Sequence, residues 1–153
     1  TIDQIMTPRS MVQALEKDQK LSSKTLKQLK ETGQSRFPVY AQALDNITGI
    51  LYLYELAGVD VSEKTAGDMA KDSFFFVNGS QKLDHALNAF LRTKHHIFIV
   101  INKFTEVIGV VTMEDILEEI IGTEIVDEFD KYGDLRSVAA KIGKTKSETV
   151  NKV

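Results

Sequence analysis

The sequence predicts an α+β fold: two βαββα repeats, packed sheet to sheet with pseudo-twofold symmetry. Three observations lead there. Phe37-Pro38-Val39-Tyr40 lies 60 residues before Ile97-Phe98-Ile99-Val100, and Ile47-Thr48-Gly49-Ile50-Leu51 lies 60 residues before Val107-Ile108-Gly109-Val110-Val111, in one register with no gap. In each half the two β-rich runs flank a polar turn, Asp45-Asn46 or Asn102-Lys103, which reads as a hairpin. A helical pattern precedes each hairpin.

The elements follow in order. Strands are expected at Met11–Leu15 and Phe74–Val77, ahead of the two helices. The first helix carries Leu21, Leu26 and Leu29 among five lysines from Lys17 to Lys30, which read as a solvated face because Glu16, Asp18 and Glu31 intersperse them. Ser22 or Ser23 is its expected cap and Gly33 its stop. In the second half Leu83, Ala86, Leu87, Phe90 and Leu91 form one apolar stripe, with Ser80 placed to cap it. A short helix near Tyr54–Ala57 follows the first hairpin, and a longer one from Glu114 to about Ile121 follows the second. The expected units are residues 2–60 and 66–125. Residues 126–153 are read as a linker or poorly ordered tail, since from 131 onward there are few large apolar residues and six basic against two acidic ones. A lone 60-residue unit buries only about 60% of its unfolded surface, so two units sharing a core are the stable solution.

Composition narrows the function. Hydrophobic residues at 42% and charged residues at 27% are ordinary for a soluble globular protein. A net charge of −3 argues against nucleic acid as a partner. Absence of cysteine excludes disulfides and thiolate chemistry, and suits a reducing cytosol. The longest apolar run, Ile97–Ile101, is far short of the roughly 20 residues of a membrane span. No signal-peptide pattern or initiator methionine opens the chain, which is therefore read as a piece of something larger. Nucleophile–base pairs, glycine-rich phosphate loops and zinc spacings are missing, so an enzyme is not expected.

Three stretches carry a family resemblance: Ile5-Met6-Thr7-Pro8-Arg9, Ser35-Arg36-Phe37-Pro38-Val39-Tyr40, and Ile108-Gly109-Val110-Val111-Thr112-Met113-Glu114-Asp115-Ile116 with its continuation to Gly122. Over about residues 2–130 the chain resembles a tandem CBS-domain pair, or Bateman module, of the CorC/hemolysin-like and CNNM magnesium-transport proteins. The resemblance implies an adenine nucleotide, ATP or AMP, with Mg-ATP the favoured form. It also implies a homodimer of the pair arranged as a flat disc. Further implications are a membrane transport domain in the parent protein, a place on the cytoplasmic side of the cell membrane, and a small C-terminal transporter-associated domain often following the pair.

Chemistry selects the candidate residues, each against a plainer reading. Asp115, three residues after Thr112, could accept hydrogen bonds from both hydroxyls of a ribose, while Thr112 and the free N–H groups of the helix suit a phosphate. The same spacing also caps a helix, and Thr112 could serve both purposes. Arg36, ahead of a strand, could reach a phosphate in the cleft between the halves, or pair with a neighbouring acid. Ser35 is a supporting donor. In the resembling family the threonine at Thr7 approaches the adenine, although Thr7-Pro8 could equally be a simple turn. Pro38 is carried over to the nucleotide site with its motif. His95-His96 is read as the counterpart of Ser35-Arg36, giving His96 either a phosphate contact or a plain surface role. The two imidazoles point to opposite faces and do not suit a shared metal. Tyr52 and Glu55 stand where Thr112 and Asp115 recur, a departure that predicts one good site and a weak or unused second. Eight acids without a Lys or Arg run from Glu114 to Asp130. They are read as a solvated face, with a basic partner or Mg²⁺ as the alternative.

Overall fold

The computed structural model describes residues 1–122, so the expected tail at 126–153 lies outside the described residues. Thr1–Ile116 is one compact unit. It holds two sheets. In the first, β3 (Arg36–Tyr40) is central, with β2 (Leu15–Glu16) parallel on one side and β4 (Ile47–Tyr52) antiparallel on the other. In the second, β5 (Phe76–Asn78), β6 (Ile97–Ile101) and β7 (Val107–Thr112) repeat that arrangement, and β1 (Thr7–Pro8) adds an outer antiparallel strand to β7.

The strands are apolar almost throughout because both faces are covered. Phe98 and Val100 enter a core with Ala86 and Phe90 of helix α3 (Leu83–Thr93), where the Phe90 and Phe98 rings stack 3.8 Å apart. The alternate residues Ile97 and Ile99 turn the other way and join Ile47, Ile50, Val107 and Val110 in the layer between the sheets. Phe37 and Val39 play the first role in the first half, against Leu29 of helix α1 (Ser23–Glu31).

Ser22 caps α1, its hydroxyl accepting the Thr25 N–H at 3.2 Å, and Gly33 takes a left-handed φ of +71° just past the end. Four expectations need correction. The strand expected at Met11–Leu15 begins only at Leu15, after a 3₁₀ turn at Arg9–Met11. Ser80 does not cap α3: its hydroxyl donates to Asn78 Oδ1 at 2.7 Å, and Lys82 occupies the cap position with no side-chain bond. Leu91 is solvent-exposed, which narrows the α3 stripe. The repeat is not gapless: Phe37 pairs with Leu51 and Phe98 with Val111, so the first strands of the hairpins are offset by 61 residues and the second strands by 60. The N–H groups of Leu53 and Met113, bonding to the carbonyls of Ser35 and His96, repeat the same offset.

Two segments cross between the halves. Ile2, Ile5 and Met6 pack into the second-half core and lead into β1. A four-residue helix, α2 (Ala66–Met69), packs on the first-half core, and Lys71 exchanges two 2.8 Å backbone bonds with Ile50. Lys71 therefore does for the first sheet what Thr7, opposite Val110, does for the second. Both crossings run over a glycine: a Cβ on Gly49 would stand 2.6 Å from the Lys71 carbonyl oxygen, and one on Gly109 would overlap that of Thr7.

Candidate functional site

The site is built around the end of β7, where the chain turns into helix α4 (Met113–Ile121). A helix start leaves backbone N–H groups without partners. Here Thr112 and Asp115 close a capping box: Asp115 Oδ2 accepts the Thr112 N–H at 2.7 Å and its hydroxyl at 2.8 Å, while Thr112 Oγ1 accepts the Asp115 N–H at 3.2 Å. The capping reading is thus realised. Asp115 Oδ1 has no hydrogen-bond partner among the described residues, so half of this partly buried carboxylate remains available.

Arg36 arrives at the same place from the first half. It opens β3 opposite Tyr52, and its side chain is 24% exposed. Its Nη1 lies 3.4 Å from Glu114 Oε1, an ion pair at the long limit of a hydrogen bond. Its Nε is buried with no hydrogen-bond partner among the described residues, an arrangement a folded protein rarely tolerates without a use. A cation from one repeat therefore reaches Glu114 in the first turn of the helix that Thr112 and Asp115 cap in the other. The pairing of Glu114 with Arg36 cannot be read from the sequence because 78 positions separate the two.

The other candidates are less tightly grouped. Thr7 is half-buried on β1, one strand away from the Thr112 end of β7. Pro38 is buried on β3 opposite Ile50, two residues beyond Arg36. Ser35 is exposed immediately before Arg36, its carbonyl tied to Leu53. His96 requires a correction. By the strand offset it is the counterpart of Ser35, and the counterpart of Arg36 is Ile97. His96 is exposed, with its carbonyl accepting the Met113 N–H at 3.3 Å. His95 is a structural residue: its Nδ1 donates to the Thr93 carbonyl at 2.9 Å, its Nε2 lies 3.1 Å from the Ser73 hydroxyl, and its ring packs edge-on against Phe75.

The pseudosymmetric location in the first half is built differently. Leu53–Leu56 forms a single 3₁₀ turn in place of a long helix. Glu55 pairs with Lys71 at 3.2 Å, so the counterparts of Asp115 and Thr7 are bonded to each other. Tyr52 stacks edge-on with Tyr54 at 5.7 Å, and burial raises its phenol pKa above the ordinary value. Sequence spacing marked Tyr52 and Glu55 but not Lys71. Among the described residues no cluster of His, Cys, Asp and Glu suits a metal ion, and no helix is long and apolar enough to cross a membrane. Glu118 and Glu119 are exposed on α4, and the remaining acids of that run lie outside the described residues.

Known proteins share this architecture. The CBS domain family profile matches residues 66–122. The structure of the CBS domain of a bacterial CNNM/CorC family Mg²⁺ transporter in complex with ATP superposes with a TM-score of 0.71 at 32% identity, covering 79% of this chain and 87% of that one. This chain belongs to the CNNM/CorC family of CBS-domain proteins. A CBS-domain pair from Klebsiella pneumoniae with bound AMP is also similar, with a TM-score of 0.66 at 27% identity over 80% of this chain and 98% of that one. Among curated proteins, the magnesium and cobalt efflux protein CorC of Salmonella typhimurium is 39% identical over 133 residues, which are 86% of this chain and 45% of that protein. The CBS pair described here thus spans about half the length of the curated relatives it matches.

Proposed function

We propose that this CBS pair is a non-catalytic sensor that binds one adenine nucleotide, ATP or AMP, and regulates a CorC/CNNM-type membrane ion transport protein from the cytoplasmic side. The observation that carries the reading is the half-buried Arg36, whose Nε has no partner among the described residues, lying beside the N-terminus of α4. In this assignment the guanidinium takes the phosphates, and Asp115 Oδ1 takes the ribose hydroxyls while Oδ2 continues to cap. Thr112 holds Asp115 in place, and Thr7, Ser35 and Pro38 are assigned to the approach of the base. ATP and AMP complexes of the similar structures support the ligand class.

Mg²⁺ has a physical rationale in Glu114. Phosphates that engage Arg36 displace Glu114, which leaves a carboxylate next to a polyphosphate. A divalent cation between them removes that repulsion, so ATP is expected to gain from Mg²⁺ more than AMP does. Regulation requires that the nucleotide favour one arrangement of the two repeats over another, because equal affinity for both shifts nothing. Arg36 and Asp115 lie on different repeats, so a ligand held by both meets that condition.

The Asp115 cap favours a second reading, in which the pair is a nucleotide-independent dimerisation module and the carboxylate only starts a helix. Calorimetry with ATP, ADP and AMP, with and without Mg²⁺, separates the two when run on wild type and Asp115→Asn. An amide can keep the cap and loses the charge. Weaker binding at unchanged fold supports the sensor, whereas identical heats, or none in either protein, leave the structural reading. Sedimentation velocity with and without nucleotide tests the expected homodimer.

A further inference from the structure

A second polar junction lies at the opposite end of β7. Arg9 Nη1 and Nη2 grip Asp45 Oδ1 and Oδ2 at 2.5 and 2.8 Å, a bidentate pair. The same Nη1 donates to the Val107 carbonyl at 2.7 Å, and the Val107 N–H donates back to Asp45 Oδ1 at 2.9 Å. Three segments distant in sequence are closed into one ring: the chain leaving β1, the β3–β4 turn of the first repeat, and the start of β7 in the second.

Such a junction is needed at this spot. Strand β1 has only two residues, and one of them is Pro8, which has no N–H to give a ladder. Ile2 and Met6 anchor its front in the second core, and Arg9 is the side chain that fixes its rear. Val107 is the first residue of β7 and Thr112 the last, a span of roughly 17 Å at strand rise. The ring thus ties the two repeats at one end of the strand whose other end carries Thr112 and Asp115.

We propose that Arg9 and Asp45 are positioning residues for the nucleotide cleft: they touch no ligand, but set Thr7 on β7 and hold the repeat carrying Arg36 against the repeat carrying Asp115. This rests on the nucleotide reading above. It assigns affinity to a pair that lies outside the cleft.

The test is calorimetry with ATP, ADP and AMP on wild type, Asp45→Asn, Arg9→Lys and the control Glu106→Gln, which removes a neighbouring acid outside the ring. Loss of preorganisation is expected to weaken all three nucleotides by one common factor of about three- to tenfold in Asp45→Asn, less in Arg9→Lys, and not in the control. A purely structural pair would lower the melting temperature and leave the dissociation constants of the folded protein unchanged, which overturns the proposal. A loss that grows with phosphate number would make Arg9 a phosphate ligand and overturns it too. Hydrogen exchange at residues 6–12 and 107–111 reads the clasp without ligand: Asp45→Asn is expected to speed it at least tenfold, and unchanged exchange overturns the clasp. Absence of nucleotide binding by wild type, together with this acceleration in Asp45→Asn, overturns the cleft assignment while leaving the clasp.

Discussion

Replacing Arg36 by methionine should make the ligand-free protein more stable while removing its nucleotide affinity. An unpartnered buried donor costs about 1–3 kcal/mol, and Arg36 Nε has no partner among the described residues. The compensating pair with Glu114 is long at 3.4 Å and its acid is 57% exposed, so it returns about 0–0.5 kcal/mol. Methionine keeps the stem and fills the same channel with a flexible apolar chain. The net expectation is a gain of about 0.5–2 kcal/mol, or roughly 2–8 °C in melting temperature for a domain of this size. Loss of a charge-assisted phosphate contact worth about 1.5–3 kcal/mol should weaken ATP by roughly 10- to 150-fold. Thermal melts and urea titrations of the apo protein measure the first effect and calorimetry the second. A variant less stable than wild type, or one that binds ATP within threefold of wild type, would refute the reasoning. A residue kept at the expense of stability is one selected for function.

Three further expectations follow from the geometry. Gly109→Ala forces a methyl group against the Thr7 carbonyl and should cost about 1–3 kcal/mol together with nucleotide affinity. Gly49→Ala, which meets the Lys71 carbonyl, should cost similar stability and spare affinity; equal affinity losses by calorimetry would misplace the site. The Asp45 carboxyl is held at about 2 by its hydrogen bond from Arg9, with the Val107 N–H adding to it. A depressed folded-state value stabilises above the unfolded pKa and is lost on acidification, so thermal melts should show this contribution constant above about pH 5 and disappearing between about pH 4 and 2, a decline absent in Asp45→Asn. Because Glu55 is engaged by Lys71, wild type should bind one nucleotide per chain, and a calorimetric stoichiometry of two would contradict that assignment.

Much of the fold was legible because it depends on local pattern. The hairpins, the Ser22 cap, the Gly33 stop and the start of α4 at Thr112 all follow from residues within a few positions of one another. The one-residue offset between the halves was hidden for a physical reason: Ile97-Phe98-Ile99-Val100 is apolar on both faces, so sliding it by one position costs the pattern nothing. That slip also misassigned His96. For the site, Thr112 and Asp115 and their capping role could be read from spacing, but the meeting of Arg36 with Glu114 could not. Arg9 with Asp45, and Lys71 with Glu55, escaped for the same reason: each pair is made by the tertiary fold between residues remote along the chain. The Ser80 expectation failed locally, since Asn78, two residues back, takes the hydroxyl first.

Residues 2–8 pair with Gly79, Gln81, Gly109 and Val110, so during synthesis this segment waits for the second repeat to emerge before its place is complete. Severing the chain between the repeats would leave an orphan on each side: the front piece would carry a strap for a sheet it lacks, and the rear piece would carry Ala66 and Lys71, which belong to its neighbour. The two look-alike halves are therefore interlocked, and neither is a part that can be lifted out and used alone.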